Sequence, residues 1–230
     1  MAKRYFLGGL IALGVCFSHP VSEDSYAAGP NGMTVDEVEA VFRKRMPTEW
    51  RRKAPELARH LANLCQLHGF DPAFVLSMIH VESSFKPHAV SKVGAVGLMQ
   101  FLPSTAKYIA KRYRIKYRKG RELRDPFLNL TLGVHYLAYL RRAFETTDQA
   151  LAAYNLGPTR VRGMVMAGAF DPGPVRKYVN DIKAGRSTMK REGRDLATVQ
   201  KFTAALTGPE HLWDRLNSRP IPGVIMPHAE

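Results

Sequence analysis

One carboxylate in the chain stands where a proton could be held near neutral pH. Val75, Met78, Ile79 and Glu82 fall at i, i+3, i+4 and i+7, which predicts one helical face with Glu82 at the end of an apolar stripe. Apolar surroundings disfavour the charged carboxylate, and the unpaired carbonyls of a helix C-terminus act in the same direction. A carboxyl so placed can act as a general acid on a leaving oxygen. The plainer alternative is an ordinary glutamate at a helix end, bonded to a neighbouring hydroxyl, since structural carboxylates are perturbed as well. Downstream, Ser91, Gly94, Ala95 and Gly97 form a loop of small residues ahead of Leu98, Met99 and Gln100. Glycines there permit positive φ or close approach, so loop backbone could face a bulky polymer beside the acid. Gln100 can donate and accept at once, which suits an acetamido group on a sugar. Leu98 and Met99 read as packing residues.

Other chemistries lack their residues. There is no Gly-x-Ser-x-Gly elbow, no phosphate-binding loop, no His-Glu-x-x-His and no paired Cys-x-x-Cys. The eight histidines are scattered without metal-ligand spacing. The expectation is an enzyme without metal or cofactor.

The elements that must carry Glu82 read as helices. Thr34 with Glu37 three residues on is a capping-box signature and opens a helix through about Met46, stopped by Pro47. A second helix runs from about Ala54 to His68, ended by Gly69. Asp71-Pro72 opens the helix that ends at Glu82. Ser104 is placed to cap a helix from Thr105 to about Tyr113. Asp125-Pro126 opens a long one to about Phe144, and Thr147 or Asp148 a short one broken after Tyr154-Asn155. Arg160 to Ala167 and Val175 to about Lys183 complete the set, and Leu196 to Leu206 is a weaker candidate. No run shows strand alternation, so the fold class is mainly α with little or no sheet.

With 230 residues, 45% hydrophobic and 23% charged, the chain suits one well-buried domain with appendages. Lys3 and Arg4, the apolar run Tyr5 to Phe17 and the small-x-small site Ser25-Tyr26-Ala27 have the layout of a secretory signal peptide over 1–27. The run is short for a membrane span. Lipidation at Cys16 is the lesser alternative, because Val15 stands where a small residue should precede it. Cleavage after Ala27 would leave Cys65 as a lone thiol among leucines, a small buried hydrophobe rather than a nucleophile. The net charge of +14 favours an anionic partner, and export makes nucleic acid the least expected one. Nine basic residues and one acidic residue lie between Lys107 and Arg124, interleaved with Tyr108, Tyr113 and Tyr117. That run reads as a solvated face, as a contact for anionic wall polymers or peptide carboxylates, or as a docking site for a partner.

Four spaced blocks resemble the soluble lytic transglycosylase family, which shares the goose-type lysozyme fold. They are Glu82-Ser83 with Ser91, Gly94-Ala95, Gly97-Leu98-Met99-Gln100 and Pro103 to Ala106; Asp125-Pro126 with Asn129, Gly133 and Tyr136-Leu137; Ala150 to Asn155; and Lys177-Tyr178-Val179. They cover about 71–181 in the family's order. Leu156 and Leu102 depart from it, replacing alanine and methionine, and bear on substrate fit. The resemblance implies that Glu82 is the single acid/base, with Ser91, Gln100, Tyr154, Asn155 and Tyr178 lining the cleft. Tyr154 and Tyr178 could equally be core aromatics with satisfied hydroxyls.

The resulting expectation is a lysozyme-like enzyme, exported to the periplasm or cell envelope, that cleaves peptidoglycan strands to 1,6-anhydro ends. Its layout is 1–27 signal peptide, 28–70 N-terminal helical segment, 71–183 catalytic domain and 184–230 a partly irregular extension. A monomer is expected, with an envelope-spanning secretion or conjugation apparatus as a candidate partner. The rivals are a muramidase of the same fold, which uses water, and a non-catalytic wall-binding scaffold.

Overall fold

The computed structural model describes residues 32–207. The segment over 1–27 expected to be a signal peptide, Cys16 and the proline-rich end lie outside the described residues.

Among the described residues there are eight α-helices: α1 (Val35–Arg45), α2 (Ala54–His68), α3 (Pro72–Ser83), α4 (Pro103–Tyr113), α5 (Pro126–Ala143), α6 (Thr147–Leu156), α7 (Pro158–Met166) and α8 (Arg176–Thr207). Short 3-10 turns at Thr48–Lys53, Gly120–Arg124 and Gly173–Val175 join them. The only β pairing among the described residues is two isolated bridges, Val90 with Val96 and Val96 with Phe101. The mainly α expectation holds.

Cap chemistry explains most of the boundaries. The Thr34 side chain accepts from Glu37 N while the Glu37 carboxylate accepts from Thr34 N, a reciprocal capping box. Gly69 ends α2 in the left-handed region at φ 66°. Asp71 caps α3 and Asp125 caps α5, each ahead of a proline in the first turn. Two caps differ from the sequence reading. α4 starts at Pro103 with no side-chain cap, so Ser104 lies inside it; α6 is capped by Thr146 rather than Thr147 or Asp148.

The larger differences concern α3 and α8. α3 is buried on every side from Pro72 to Ile79, not along one stripe. A helix that is apolar all round belongs in the middle of a core. The element covering its remaining side is α8, which continues far past Lys183 and packs chiefly on α3 and α1. One hydrophobic core runs from Met33 to Met189, and Val179, Ile182 and Met189 are the contribution of α8.

Along the α3–α8 contact the two helices run antiparallel and meet through small and polar groups. Asp71, fully buried, accepts from Ala73 N at 3.0 Å, and its second oxygen meets Arg186 Nε at 2.7 Å and Lys190 Nζ at 3.0 Å. Midway, Ser77 Oγ donates to Ile182 O at 2.8 Å. Gly185 packs so close that a Cβ there would come within 2.2 Å of Ser77 Oγ. At the far end stand Glu82 on α3 and Tyr178 on α8.

Candidate active site

Glu82 occupies the last turn of α3, and the chain leaves that helix sharply. Ser84 and Phe85 are both in the left-handed region, at φ 51° and 63°. For a phenylalanine this conformation is strained and must be held by its surroundings. Phe85 is fully buried, edge-on to Phe42 with centroids 6.0 Å apart, and the Arg45 guanidinium lies 5.6 Å from its ring centre. The end of the helix is thereby anchored in the core.

The loop that follows is fastened from within. Ser91 N donates to Ala95 O at 2.9 Å, and Ala95 N returns to Ser91 Oγ at 3.0 Å. Val96 and Phe101 exchange backbone hydrogen bonds at 2.9 and 3.0 Å. Fully buried Asn129 on α5 then fixes the tip. Its Oδ1 accepts from Met99 N at 2.7 Å, and its Nδ2 donates to Leu123 O at 2.8 Å and Val96 O at 3.0 Å. Gly97, at φ +89°, leaves room for that amide: a Cβ would lie 2.2 Å from Asn129 Nδ2. One turn along α5, Gly133 leaves room for Met99, whose Sδ would be 2.1 Å from an added Cβ.

Two expectations change here. The backbone N–H groups of Ser91, of Gly94 to Gly97 and of Met99 to Phe101 bond within the loop or to Asn129, which leaves few of the loop's donors for a polymer. Gln100, at φ 48°, uses its side-chain amide nitrogen on Gly97 O at 2.9 Å and Ala89 O at 3.3 Å. It braces the loop and keeps only its carbonyl oxygen for a ligand.

Glu82, Ser91, Gln100, Tyr154 and Asn155 line one cleft of about 460 Å³. Tyr178 stands behind it, and its hydroxyl donates to Glu82 Oε1 at 2.6 Å. Tyr154 OH donates to Met99 O at 2.9 Å, tying α6 to the loop. Five of the six expected side chains therefore share a wall, and the sixth reaches the same carboxylate from α8. The cleft also holds residues that the sequence reading did not select: Phe101, Thr105 and Tyr136 above all. Tyr136 was legible in principle. It lies seven residues after Asn129 and three after Gly133, on the face of α5 that holds the loop.

Burial pushes the Glu82 carboxyl up to about 7, and the hydrogen bond from Tyr178 opposes that rise. Burial, the Glu82 charge and the bond to Glu82 hold the Tyr178 hydroxyl well above its ordinary value, so it remains a donor. A carboxyl oxygen that accepts from a phenol does not readily carry the acid proton. The proton is thus directed to Oε2. Glu82 is the one carboxylate among the described residues lining the cleft. Cys65 is buried and free, and burial raises its thiol, so it stays protonated and inert. Among the described residues no group of histidine, cysteine, aspartate and glutamate is placed to hold a metal ion.

Comparison with known proteins came to the same region. The Transglycosylase SLT domain family matches residues 64–167. The soluble lytic murein transglycosylase of Salmonella typhimurium is 39% identical over 92 residues, which are 39% of this chain and 14% of that protein. The membrane-bound lytic murein transglycosylase E of Buchnera aphidicola is 38% identical over 88 residues, 36% of this chain and 39% of its own. The crystal structure of the 70 kDa soluble lytic transglycosylase of Escherichia coli superposes with a TM-score of 0.50 at 28% identity. That superposition covers 60% of this chain and 24% of the larger protein. The complex of the 70 kDa enzyme with bulgecin A gives 0.50 at 26% identity, over 64% and 26% of the two chains. The chain spans well under two thirds of these relatives, and α8 lies beyond the family segment. Glu82, its loop and the Asn129 brace all lie inside residues 64–167, the segment that the Transglycosylase SLT domain family matches.

Proposed function

We propose that this protein is a peptidoglycan lytic transglycosylase in which Glu82 alone serves as acid and base. The observation that carries the reading is the contact of Glu82 Oε1 with Tyr178 OH at 2.6 Å, in a cleft where burial holds the carboxyl at about 7. Half of such groups are protonated near neutrality, so one residue can give a proton and then take one back.

The reaction would proceed in two steps. Glu82 Oε2 protonates the glycosidic oxygen between N-acetylmuramic acid and N-acetylglucosamine, and the C1–O bond breaks with its electron pair going to that oxygen. The 6-hydroxyl of the same muramic residue then attacks C1 and loses its proton to Glu82, which closes a 1,6-anhydro ring. Glu82 ends protonated and no water is consumed. Glycosidases in general pair two carboxylates, and substrate-assisted ones are the exception; a cleft lined, among the described residues, by Glu82 as its one carboxylate suits the exception. Tyr178 orients the carboxyl, while Ser91, Asn155 and the carbonyl of Gln100 face the sugars.

This substrate places the protein in the cell envelope, and the signal-like segment over 1–27 fits that location. Among the described residues no helix is long and apolar enough to cross a membrane.

Digestion of purified peptidoglycan with the wild type and with Glu82→Gln, followed by mass measurement of the products, tests the reading. Anhydro ends made by the wild type and lost in the variant support it. Reducing ends made by the wild type would assign a water-using muramidase instead. Strand binding without turnover would identify a non-catalytic scaffold.

A further inference from the structure

The cleft does not stop at Tyr136. On α5, Tyr136 and Tyr139 are one turn apart, with rings 12° from parallel and centroids 6.3 Å apart. On the neighbouring α4, Thr105 lines the cleft, and Tyr108 and Arg112 follow it at i+3 and i+7 on the same face. Tyr108 stands edge-on to Tyr139 at 5.9 Å, and the Arg112 guanidinium lies 5.2 Å from the Tyr139 ring centre. The aromatic wall that starts at Tyr154, 5.2 Å from Tyr136, therefore continues along the seam between α4 and α5 and ends at a cation.

Tyr108 is 50% exposed and stands at the surface end of this wall. Arg112 is exposed and belongs to a segment where all nine basic residues between Lys107 and Arg124 are exposed. The single acid of that segment, Glu122, accepts from Arg118 N at 2.9 Å. A row of rings offers flat apolar faces to sugar rings, and a guanidinium resting on the last ring offers planar donors to a carboxylate. Sugars alone would need no such charge.

We propose that the Tyr139–Tyr108–Arg112 seam is a subsite for a peptide-bearing sugar of the strand, in which Arg112 receives a stem-peptide carboxylate. The inference rests on the glycan-strand reading of the Glu82 cleft and specifies which strands it prefers: those that still carry their peptides. Strands stripped at the lactyl amide keep only the short lactyl carboxylate of the muramic residue, and would cross the same rings without the ion pair to the stem.

The test measures binding in the uncleaving Glu82→Gln chain, so it does not depend on turnover. The probes are purified glycan strands with peptide stems and the same strands after their stems have been removed by an amidase. Adding Arg112→Gln is expected to weaken binding of stem-bearing strands roughly five- to tenfold and that of stripped strands less than about twofold. Adding Tyr108→Ala should weaken both. Lys116→Gln removes an equal charge from the same segment, past the end of α4, and should leave the preference for stems in place. Equal losses on both strands for Arg112→Gln, no loss at all, or a matching loss for Lys116→Gln would overturn the subsite while leaving the cleft reading intact. Failure of the Glu82→Gln chain to bind either strand would sink both.

Discussion

The hydroxyl of Tyr178 and the carboxylate of Glu82 meet at 2.6 Å although 96 residues separate them in the chain. One residue sits in the last turn of α3 and the other in the first turn of α8. Their contact couples the packing of two helices to the protonation of one oxygen. Its consequences can be measured.

The pH dependence follows from the sign of each influence. The acid form of Glu82 is required first, so kcat/KM should fall as pH rises through about 7. The bond from Tyr178 favours the charged carboxylate, so Tyr178→Phe should move that limb upward, by about one pH unit. The same variant should lower kcat roughly ten- to a hundredfold, because the carboxyl is no longer oriented. A pH profile with the limb unmoved or lowered would contradict the assignment.

Glu82 should also cost stability above neutral pH. Its folded pKa is raised above the ordinary carboxylate value, so its neutral form suits the folded state. The folded chain is favoured at low pH and loses that advantage as pH rises through about 7. Glu82→Gln removes the ionisation, and urea unfolding should show it more stable than wild type at pH 8, by up to about 3 kcal/mol. At pH 4 the two should coincide. Activity of the variant should drop roughly 10²–10⁴-fold at every pH.

The α3–α8 contact offers a double-variant cycle. Gly185→Ala puts a Cβ against Ser77 Oγ and should destabilise by about 1–3 kcal/mol. Ser77→Ala removes that oxygen together with its bond to Ile182 O. The pair together should be less destabilised than the sum of the singles, with a coupling energy of roughly 0.5–3 kcal/mol by thermal or urea unfolding. Strict additivity would mean that the helices do not meet as described.

The Asn129 brace predicts a loss at a distance. Asn129→Ala leaves Met99 N and Leu123 O without their partner and takes from Val96 O one of its two donors, which should cost about 2–4 kcal/mol. The loop carrying Ser91 and Gln100 would loosen with it, so KM should rise even though Asn129 is buried beneath the cleft. An unchanged melting temperature would remove Asn129 from the role described.

Much of this arrangement was written locally. The capping box at Thr34, the Asp-Pro openings at Asp71 and Asp125, and Gly69 as a stop are decided by backbone donors and φ, which neighbouring residues set. The same holds for a glutamate at the end of an apolar helix ahead of a small-residue loop. The cleft side chains from Ser91 to Asn155 came into view through motif blocks, whose spacing survives in a single chain.

What tertiary packing alone decided is the role of α8. Its inner face is made of Gly185, Arg186, Lys190 and Gly193 as much as of Val179, Ile182 and Met189, so hydrophobic periodicity fades beyond Lys183. The face nonetheless packs on α3 and α1, because Asp71 supplies the opposite charge and glycine lets the helices approach. Those partners lie more than a hundred residues away, where no local pattern can announce them. The use of Gln100 as a loop brace and the seam from Tyr136 to Arg112 were hidden for the same reason. Sequence determined that Glu82 could hold a proton; the packing of α8 determined which neighbour directs it.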